Sequence, residues 1–118
     1  MTTIKMTLKS IIANGGATLN AQGFAVDYKT GFQVSRRDVL TVPVYRLRWG
    51  MIRALYERGA FVGIWVYEGK AYVDISEHIQ GKAHAVAVGG ERGQISVWDW
   101  AKKTCVFCAK PLDNDWSL

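Results

Sequence analysis

Three segments in the second half of the chain alternate their side chains with the period of two that is typical of β-strands. They span 61–67, 71–75 and 95–100. One set of alternating positions is aliphatic and mostly β-branched: Val62, Ile64, Val66, Ala71, Val73, Ile75, Ile95 and Val97. The other set is mainly aromatic: Phe61, Trp65, Tyr67, Tyr72, Trp98 and Trp100, with Asp74 and Ser96 among them. The pattern predicts an antiparallel sheet with two apolar faces, although such a sheet needs only one buried face.

The aromatic face allows three interpretations. The N-terminal strands, or a helix over 44–58, could cover it within the monomer. A partner protein, or a second copy of the chain in a homodimer, could cover it instead, because Trp and Tyr dominate the binding energy of interfaces. The face could also stack nucleic-acid bases, although its strands contribute only one cation, Lys70.

The rest of the chain predicts helices and short strands around this sheet. The clearest helix spans 44–58, since Pro43 precedes it, Gly59 follows it and apolar residues recur at helical spacing. Near the N-terminus, a short amphipathic helix ending at Asn14 is favoured over a strand, and Ser76 is expected to cap a third helix. Further strands are expected over 17–19, 24–28, 32–35 and 104–109. These elements predict the α+β class, with a mainly antiparallel sheet and two to three helices.

Positive charge is concentrated in the first half of the chain. The formal net charge is +5. Residues 1–59 contain nine Lys or Arg against three acids, whereas residues 60–118 contain six against seven. Both halves are too short to fold separately, so we predict one domain over 1–118, with a basic half followed by a strand–strand–helix–strand half. The charge disfavours an acidic mimic of DNA and permits contact with nucleic acid or an acidic protein face.

Arginine is clustered with aromatic residues on and near the predicted helix. Arg forms bidentate contacts with carboxylates and phosphates. We predict a partner-binding surface made of six residues: Arg46, Trp49, Arg53 and Tyr56 on the helix, with Arg36 and Arg37 beside it. A solvated charged strip, with Arg53 and Glu57 paired across one helical turn, explains many of these residues without a partner. The same arginines would serve a small nucleic-acid-binding module, which is the alternative function.

A C-x-x-C pair near the C-terminus is the one candidate metal-binding motif. Cys105 and Cys108 have the spacing of half a zinc site, and His78 and His84 are the candidates for the other two ligands. A small zinc-binding protein is therefore a second alternative function, and a redox dithiol is a further interpretation of the pair. Two incidental thiols, on opposite faces of a strand, account for it as well.

Motifs of the common enzyme classes do not occur in the sequence. There is no nucleophile elbow and no glycine motif for phosphate or dinucleotide binding. We therefore expect a binding protein, not an enzyme, and we predict no cofactor. The first residues contain no apolar run of the signal-peptide type, and no apolar stretch is long enough to span a membrane. We expect a cytoplasmic protein with no membrane partner.

Two stretches carry a resemblance to known proteins: FVGIWVYEGKAYVDIS at 61–76 and ERGQISVWDW at 91–100. They resemble small accessory proteins of phages and mobile elements, among which anti-CRISPR proteins are one functional group. The resemblance implies a protein of the bacterial cytoplasm that binds a host defence complex and blocks access to target DNA or recruitment of a nuclease. The positive charge departs from the acidic, DNA-mimicking members of that group and points to an acidic protein groove or to the guide-RNA backbone.

Overall fold

In the described part of the chain, eight strands form one sheet in which every neighbouring pair is antiparallel. The computed structural model describes residues 1–108. The strands are β1 Thr2–Ile4, β2 Gly16–Leu19, β3 Ala25–Asp27, β4 Phe32–Pro43, β5 Phe61–Tyr67, β6 Lys70–Ile79, β7 Ser96–Asp99 and β8 Thr104–Phe107. The α-helices are α1 Leu8–Ala13, α2 Trp49–Arg53 and α3 Lys82–Glu91. The predicted mainly antiparallel sheet with helices is confirmed, and the sheet dominates the fold.

The order of strands across the sheet is β1-β3-β2-β5-β6-β4-β7-β8. Strand β4, from the basic first half of the sequence, therefore lies between β6 and β7 of the second half. This strand runs for twelve residues, much further than the predicted 32–35. Two irregularities in its pairing with β6, between Ser35 and Arg37 and between Asp38 and Leu40, shift the side-chain alternation. The two halves share one sheet, so position 59 is not a structural boundary.

The long helix predicted over 44–58 is wrong. The chain forms a single 3₁₀ turn at Val44–Arg46, extends through Leu47 and Arg48, and then forms the five-residue α2. Leu47 and Ile52 are both buried in the same core. In a continuous helix these two positions would lie about 140° apart around the axis, so the break allows both to face the sheet. Arg48 donates hydrogen bonds to the carbonyl oxygens of Tyr45 and Leu47, which stabilises the break.

Three other segments, at Ser76, at the N-terminus and at the last strand, also differ in part from the prediction. Ser76 does not cap a helix, because β6 continues to Ile79 in register with β4, and Gly81 precedes α3 instead. At the N-terminus both interpretations hold in part: β1 is followed by α1, whose Thr7 and Ser10 cap each other's backbone amides. The predicted strand 104–109 ends at Phe107, and residues 109–118 lie outside the described part of the chain.

The aliphatic face of the sheet carries two cores, one under each group of helices. The larger core joins α1 and α2 to the sheet through these residues: Ile11, Leu19, Leu47, Ile52, Val62, Ile64, Ala71 and Val73. The smaller core lies under α3: Phe32, Val34, Ile79, Ala85 and Val97. Ile95 was predicted on this face but precedes β7 and is 76% exposed. Within residues 1–108, no helix is long and apolar enough to cross a membrane.

Candidate functional site

The aromatic face of the sheet is concave, because the sheet curls until distant strands meet. Tyr28, which follows β3, lies 5.8 Å from Trp100, which follows β7, between ring centroids. Four strands separate β3 from β7 in the sheet order. Lys103, in the turn between β7 and β8, also pairs with Asp27 of β3. All three helices pack on the opposite, aliphatic face, so the concave face is not covered by a helix of the described chain.

A groove of about 960 Å³ runs across this concave face. We call it the concave groove, and its sheet-face residues are Gly16, Thr18, Gln33, Ser35, Asp38, Thr41, Gly63, Trp65, Tyr72, Asp74, Ser76, Ser96, Trp98, Trp100 and Cys105. Its volume is in the range of pockets that hold small molecules or peptide side chains. Aromatic walls with a few convergent polar groups are typical of a binding site.

The aromatic side chains of this face divide into a covered end and an open end. At the covered end, Tyr28 stacks on His78, with centroids 3.7 Å apart, and meets Phe61 and Trp100 edge-on or tilted. The prediction that N-terminal strands cover the aromatic face therefore holds for this end alone. The predicted helix cover does not hold, because α2 packs on the aliphatic face.

At the open end, Trp65, Tyr67 and Tyr72 form an exposed cluster. Their exposed fractions are 60%, 52% and 37%. The Trp65 ring lies 5.5 Å from Tyr67 and 5.6 Å from Tyr72, so each ring restrains its neighbour. A contiguous group of large exposed aromatic side chains is typical of an interaction surface.

A hydrogen-bonded chain of buried side chains forms part of the groove floor. The indole Nε1 of Trp100 donates to Oε1 of Gln33 at 3.1 Å, and Nε2 of Gln33 donates to Oγ of Ser76 at 2.9 Å. All three residues are buried. The neighbouring Ser35 Oγ is shielded from solvent and makes no hydrogen bond of adequate geometry within the described chain. The floor is thus polar although its walls are aromatic.

Two aspartates face each other across this floor. Asp38 of β4 and Asp74 of β6 are direct cross-strand partners. Burial raises the pKa of Asp74, the nearby Ser35 hydroxyl offsets part of this rise, and the Asp38 carboxylate adds to it. Gly63 stands opposite Asp74 on β5, and a Cβ there would lie 2.2 Å from Asp74 Oδ1. The absence of a side chain at Gly63 therefore makes room for this carboxylate.

The pKa shift predicts how Asp74→Asn changes stability with pH. At about pH 3 the carboxyl is protonated in both states, and the two proteins differ least. As the pH rises above the ordinary value of 3.8, the unfolded chain loses this proton before the folded protein does. Wild-type stability then falls relative to the variant, by at most about 1.4 kcal/mol per pH unit. Urea unfolding at about pH 3, 5 and 7 checks this, with Glu91→Gln as a control for charge removal; a gap that stays constant contradicts it.

The six residues of the predicted partner-binding surface are brought together only in part. Arg36 and Arg37 on β4 both pair with Glu57, and the predicted ion pair between Arg53 and Glu57 does not form. Trp49, Arg53 and Tyr56 line a second cavity, of about 320 Å³, together with Lys5 and Phe24. Arg46 is exposed on the 3₁₀ turn.

Arg36 also belongs to a small ion-pair network at the edge of α3. Glu77 accepts hydrogen bonds from Arg36 at 3.2 Å and from Arg92 at 2.6 Å. Burial alone would raise the pKa of Glu77, but these hydrogen bonds outweigh it and hold the pKa below its ordinary value. The hydrogen bond from Arg37 similarly lowers the pKa of Glu57. Arg36 and Arg37 thus already have carboxylate partners within the chain.

The four candidate zinc ligands lie apart. Cys105 is exposed on the groove side of β8, whereas Cys108 packs beneath α3 and burial raises its pKa. His78 lies on β6, where its Nε2 is 2.8 Å from the carbonyl oxygen of Thr30, and His84 is exposed on α3. Among residues 1–108 no group of three or more His, Cys, Asp or Glu side chains could hold a metal ion.

Comparison of the chain with protein families, with curated proteins and with solved structures finds no match. The alternation in the sequence predicts the aromatic positions and Asp74, but not the contribution of β4. The signal that could have revealed Gln33, Ser35 and Asp38 is their near-alternate spacing, which the bulges after Ser35 and Asp38 interrupt.

Proposed function

We propose that this chain is a stoichiometric binding protein, not an enzyme, and that the concave groove is its partner-binding surface. The observation that carries the proposal is the aromatic sheet face, which no helix of the described chain covers. Its open end exposes Trp65, Tyr67 and Tyr72 beside a groove of about 960 Å³. Tryptophan and tyrosine are the residue types that most often dominate binding energy in interfaces.

The groove supports this role better than the arginine surface does. Arg36 and Arg37 are engaged by Glu57 and Glu77, so a partner would have to displace carboxylates that already neutralise them. The aromatic side chains of the groove need no such exchange. Their exposed apolar area contacts water until a partner covers it, and its burial then stabilises the complex. Arg46 and Arg53 remain candidates for contacts at the edge of the same partner.

A bacterial defence complex is the class of partner we propose. The resemblance of 61–76 and 91–100 to accessory proteins of phages and mobile elements supports this choice. In this proposal the chain occupies a protein surface of the complex, blocks access to target DNA or recruitment of the nuclease, and acts in the bacterial cytoplasm. The net charge of +5 supports a partner whose surface around the binding site carries a net negative charge.

The test compares four baits in the same bacterial lysate. Wild type and Tyr45→Ala, which removes an exposed aromatic side chain outside the groove, should retain the same partner. Trp65→Ala/Tyr72→Ala should lose it, with a dissociation constant for the purified partner at least about 30-fold higher. Calorimetry with that partner should give one chain per binding site.

The fourth bait, Arg46→Glu/Arg53→Glu, distinguishes the two surfaces. If it alone loses the partner, the arginine surface is the binding site and our assignment to the groove is wrong. If the chain restores growth of a phage under CRISPR interference, and the groove variant does not, the defence-complex proposal is supported. If the wild-type chain leaves interference unchanged and its identified partner belongs to another process, that part of the proposal is wrong.

Nucleic-acid binding is the second candidate function, and the second cavity favours it. Lys5 and Arg53 stand beside Trp49, Tyr56 and Phe24, and no acid lines this cavity in the described part of the chain. Cations next to aromatic rings are the usual means of holding a phosphate backbone and stacking a base. Single-stranded DNA or RNA should then bind at about 50 mM salt, weaken steeply as salt increases, and lose affinity in Arg53→Gln. No binding at that salt concentration rules this function out.

A further inference from the structure

The charged residues of the concave groove are all acidic, although the protein as a whole is basic. Asp27, Asp38 and Asp74 line it, and its described lining contains no Lys, Arg or His. The formal net charge of the whole protein is +5. The negative charge of the groove is therefore a local property of the folded chain, and it is opposite in sign to the net charge of the whole sequence.

Two of these aspartates have no ion-pair partner among residues 1–108. Asp27 pairs with Lys29 and Lys103, whereas Asp38 and Asp74 pair with no cation in that range. They are cross-strand neighbours, so their like charges are held close together. An uncompensated pair of carboxylates next to a partly buried floor is stabilised when a cation approaches it.

The aromatic wall lies next to these carboxylates on the same face. Trp65 and Tyr72 are cross-strand partners, as are Gly63 and Asp74 in the adjoining row. Asp74 and Tyr72 are two residues apart on β6, which places them about 7 Å apart along the strand. A long basic side chain has an apolar stem, which can pack on the aromatic rings, and a cationic head, which can pair with the carboxylates.

Beside the other end of the groove, two of its lining residues, Trp100 and Asp27, already hold a cation in this way. The ammonium group of Lys103 lies 5.0 Å from the centroid of the Trp100 ring and pairs with the Asp27 carboxylate. One aromatic ring and one carboxylate thus hold an intramolecular lysine. The open end offers the same two kinds of group, Trp65 with Tyr72 and Asp38 with Asp74, without an intramolecular cation in the described chain.

We propose that the open end of the concave groove binds an arginine or lysine side chain of a protein partner, with its cationic head at Asp38 and Asp74 and its stem across Trp65 and Tyr72. This inference rests on the proposed role of the groove as a binding surface. It adds the chemistry of the bound group, which neither the aromatic face nor the net charge specifies.

The occupant we infer is a protein segment with one basic side chain among neutral, apolar neighbours. Trp65 and Tyr67 stand exposed at the rim, so a small free ligand would remain largely solvated, whereas a segment can cover the rim as its basic side chain enters. A highly basic segment would be repelled by the net charge of +5. Apolar neighbours would instead pack against the aromatic cluster.

The test uses a short, end-blocked peptide with a central arginine between leucines, and the same peptide with citrulline, which is neutral and nearly isosteric. Each is titrated into the full chain labelled with ¹⁵N, at about 50 mM salt, and the indole signal of Trp65 is followed. We expect saturable shifts with the arginine peptide and at least tenfold weaker binding of the citrulline peptide. Asp74→Asn should weaken the arginine peptide at least tenfold, and the Asp38→Asn/Asp74→Asn variant further, whereas Glu91→Gln should leave it unchanged.

Several results would overturn the inference. Equal shifts with both peptides would leave the groove as a binding surface, and the proposed function intact, but would show that it does not select a cation. No shift of groove signals with either peptide would also overturn it, and the four-bait comparison would then decide the proposed function independently. Groove signals that move with protein concentration alone, or on deletion of 109–118, would identify a second copy or the chain's own end as the occupant.

Discussion

Gly16→Ala should destabilise the protein by about 3 to 5 kcal/mol, which is a large part of the stability of a chain this size. Gly16 begins β2 with a φ of +137°, a conformation that side chains rarely adopt. A Cβ at this position would lie 2.1 Å from the carbonyl oxygen of Ile64 and 3.1 Å from Cα of Trp65. Both atoms belong to the backbone of the paired strand β5. Neither strand can yield without breaking the β2–β5 ladder, so the clash has no inexpensive relaxation.

Gly15→Ala is the matched control. Gly15 also has a positive φ, of +87°, but apart from its two chain neighbours no atom of the described residues lies within 4 Å of a Cβ built there. Alanine at 15 therefore meets only the backbone strain, and we expect a loss of about 1 kcal/mol. Urea unfolding of both variants, followed by circular dichroism, measures the difference. Similar losses at the two positions would show that backbone strain, and not the approach of β5, makes glycine necessary at 16.

The strands whose bounds agree best with the sequence pattern are those with strong side-chain alternation. The 61–67 strand has the predicted bounds, and the predicted 71–75 strand lies within β6. The aliphatic positions lie on the side of the sheet that the helices cover, and the aromatic positions lie on the opposite face. Local alternation suffices in this case because the two sets differ, one aliphatic and one aromatic, and a register shift of one residue would move the aliphatic set out of the core.

Elements whose conformation depends on distant contacts were not predicted. Arg36, Arg37 and Asp38 make the middle of β4 resemble a polar loop, yet β6 on one side and Glu57 beside it hold these residues in a strand. The periodicity of 44–58 favoured one helix, but burial of both Leu47 and Ile52 against the sheet requires a break between them. In both places tertiary packing overrides the local pattern.

The candidate site follows the same division. Alternation placed Trp65, Tyr72 and Asp74 on one face, which is what the groove requires of β5 and β6. The curl of the sheet, and with it the groove, depends on contacts such as that of Tyr28 with Trp100, which no local pattern encodes. The negative charge of the groove likewise depends on a non-local contact, because the pairing of β4 with β6 places Asp38 opposite Asp74.

Gln33→Leu is expected to reduce the free energy of unfolding by about 2 to 4 kcal/mol. Gln33 is 8% exposed and bridges two other buried groups, the indole nitrogen of Trp100 and the hydroxyl of Ser76. Leucine fills similar space but accepts no hydrogen bond from the indole and donates none to the hydroxyl. Both groups would then be buried without their partner, at a cost of about 1 to 3 kcal/mol each. Urea unfolding at neutral pH provides the measurement.

Gln80→Leu supplies the control with the same chemical change at the surface. Among residues 1–108, the Gln80 side chain makes a single hydrogen bond, to Thr30 Oγ1 at 2.9 Å, in an exposed position. Water can replace this bond, so the loss should stay below about 1 kcal/mol. The reason for the Gln33 effect is tested by Trp100→Phe, which removes the indole donor. If an unsatisfied indole accounts for the loss, Gln33→Leu costs at least about 1 kcal/mol less in the Trp100→Phe background than in wild type. Additive losses would show that Gln33 stabilises the groove floor by packing, and that the hydrogen-bonded chain contributes little to its shape.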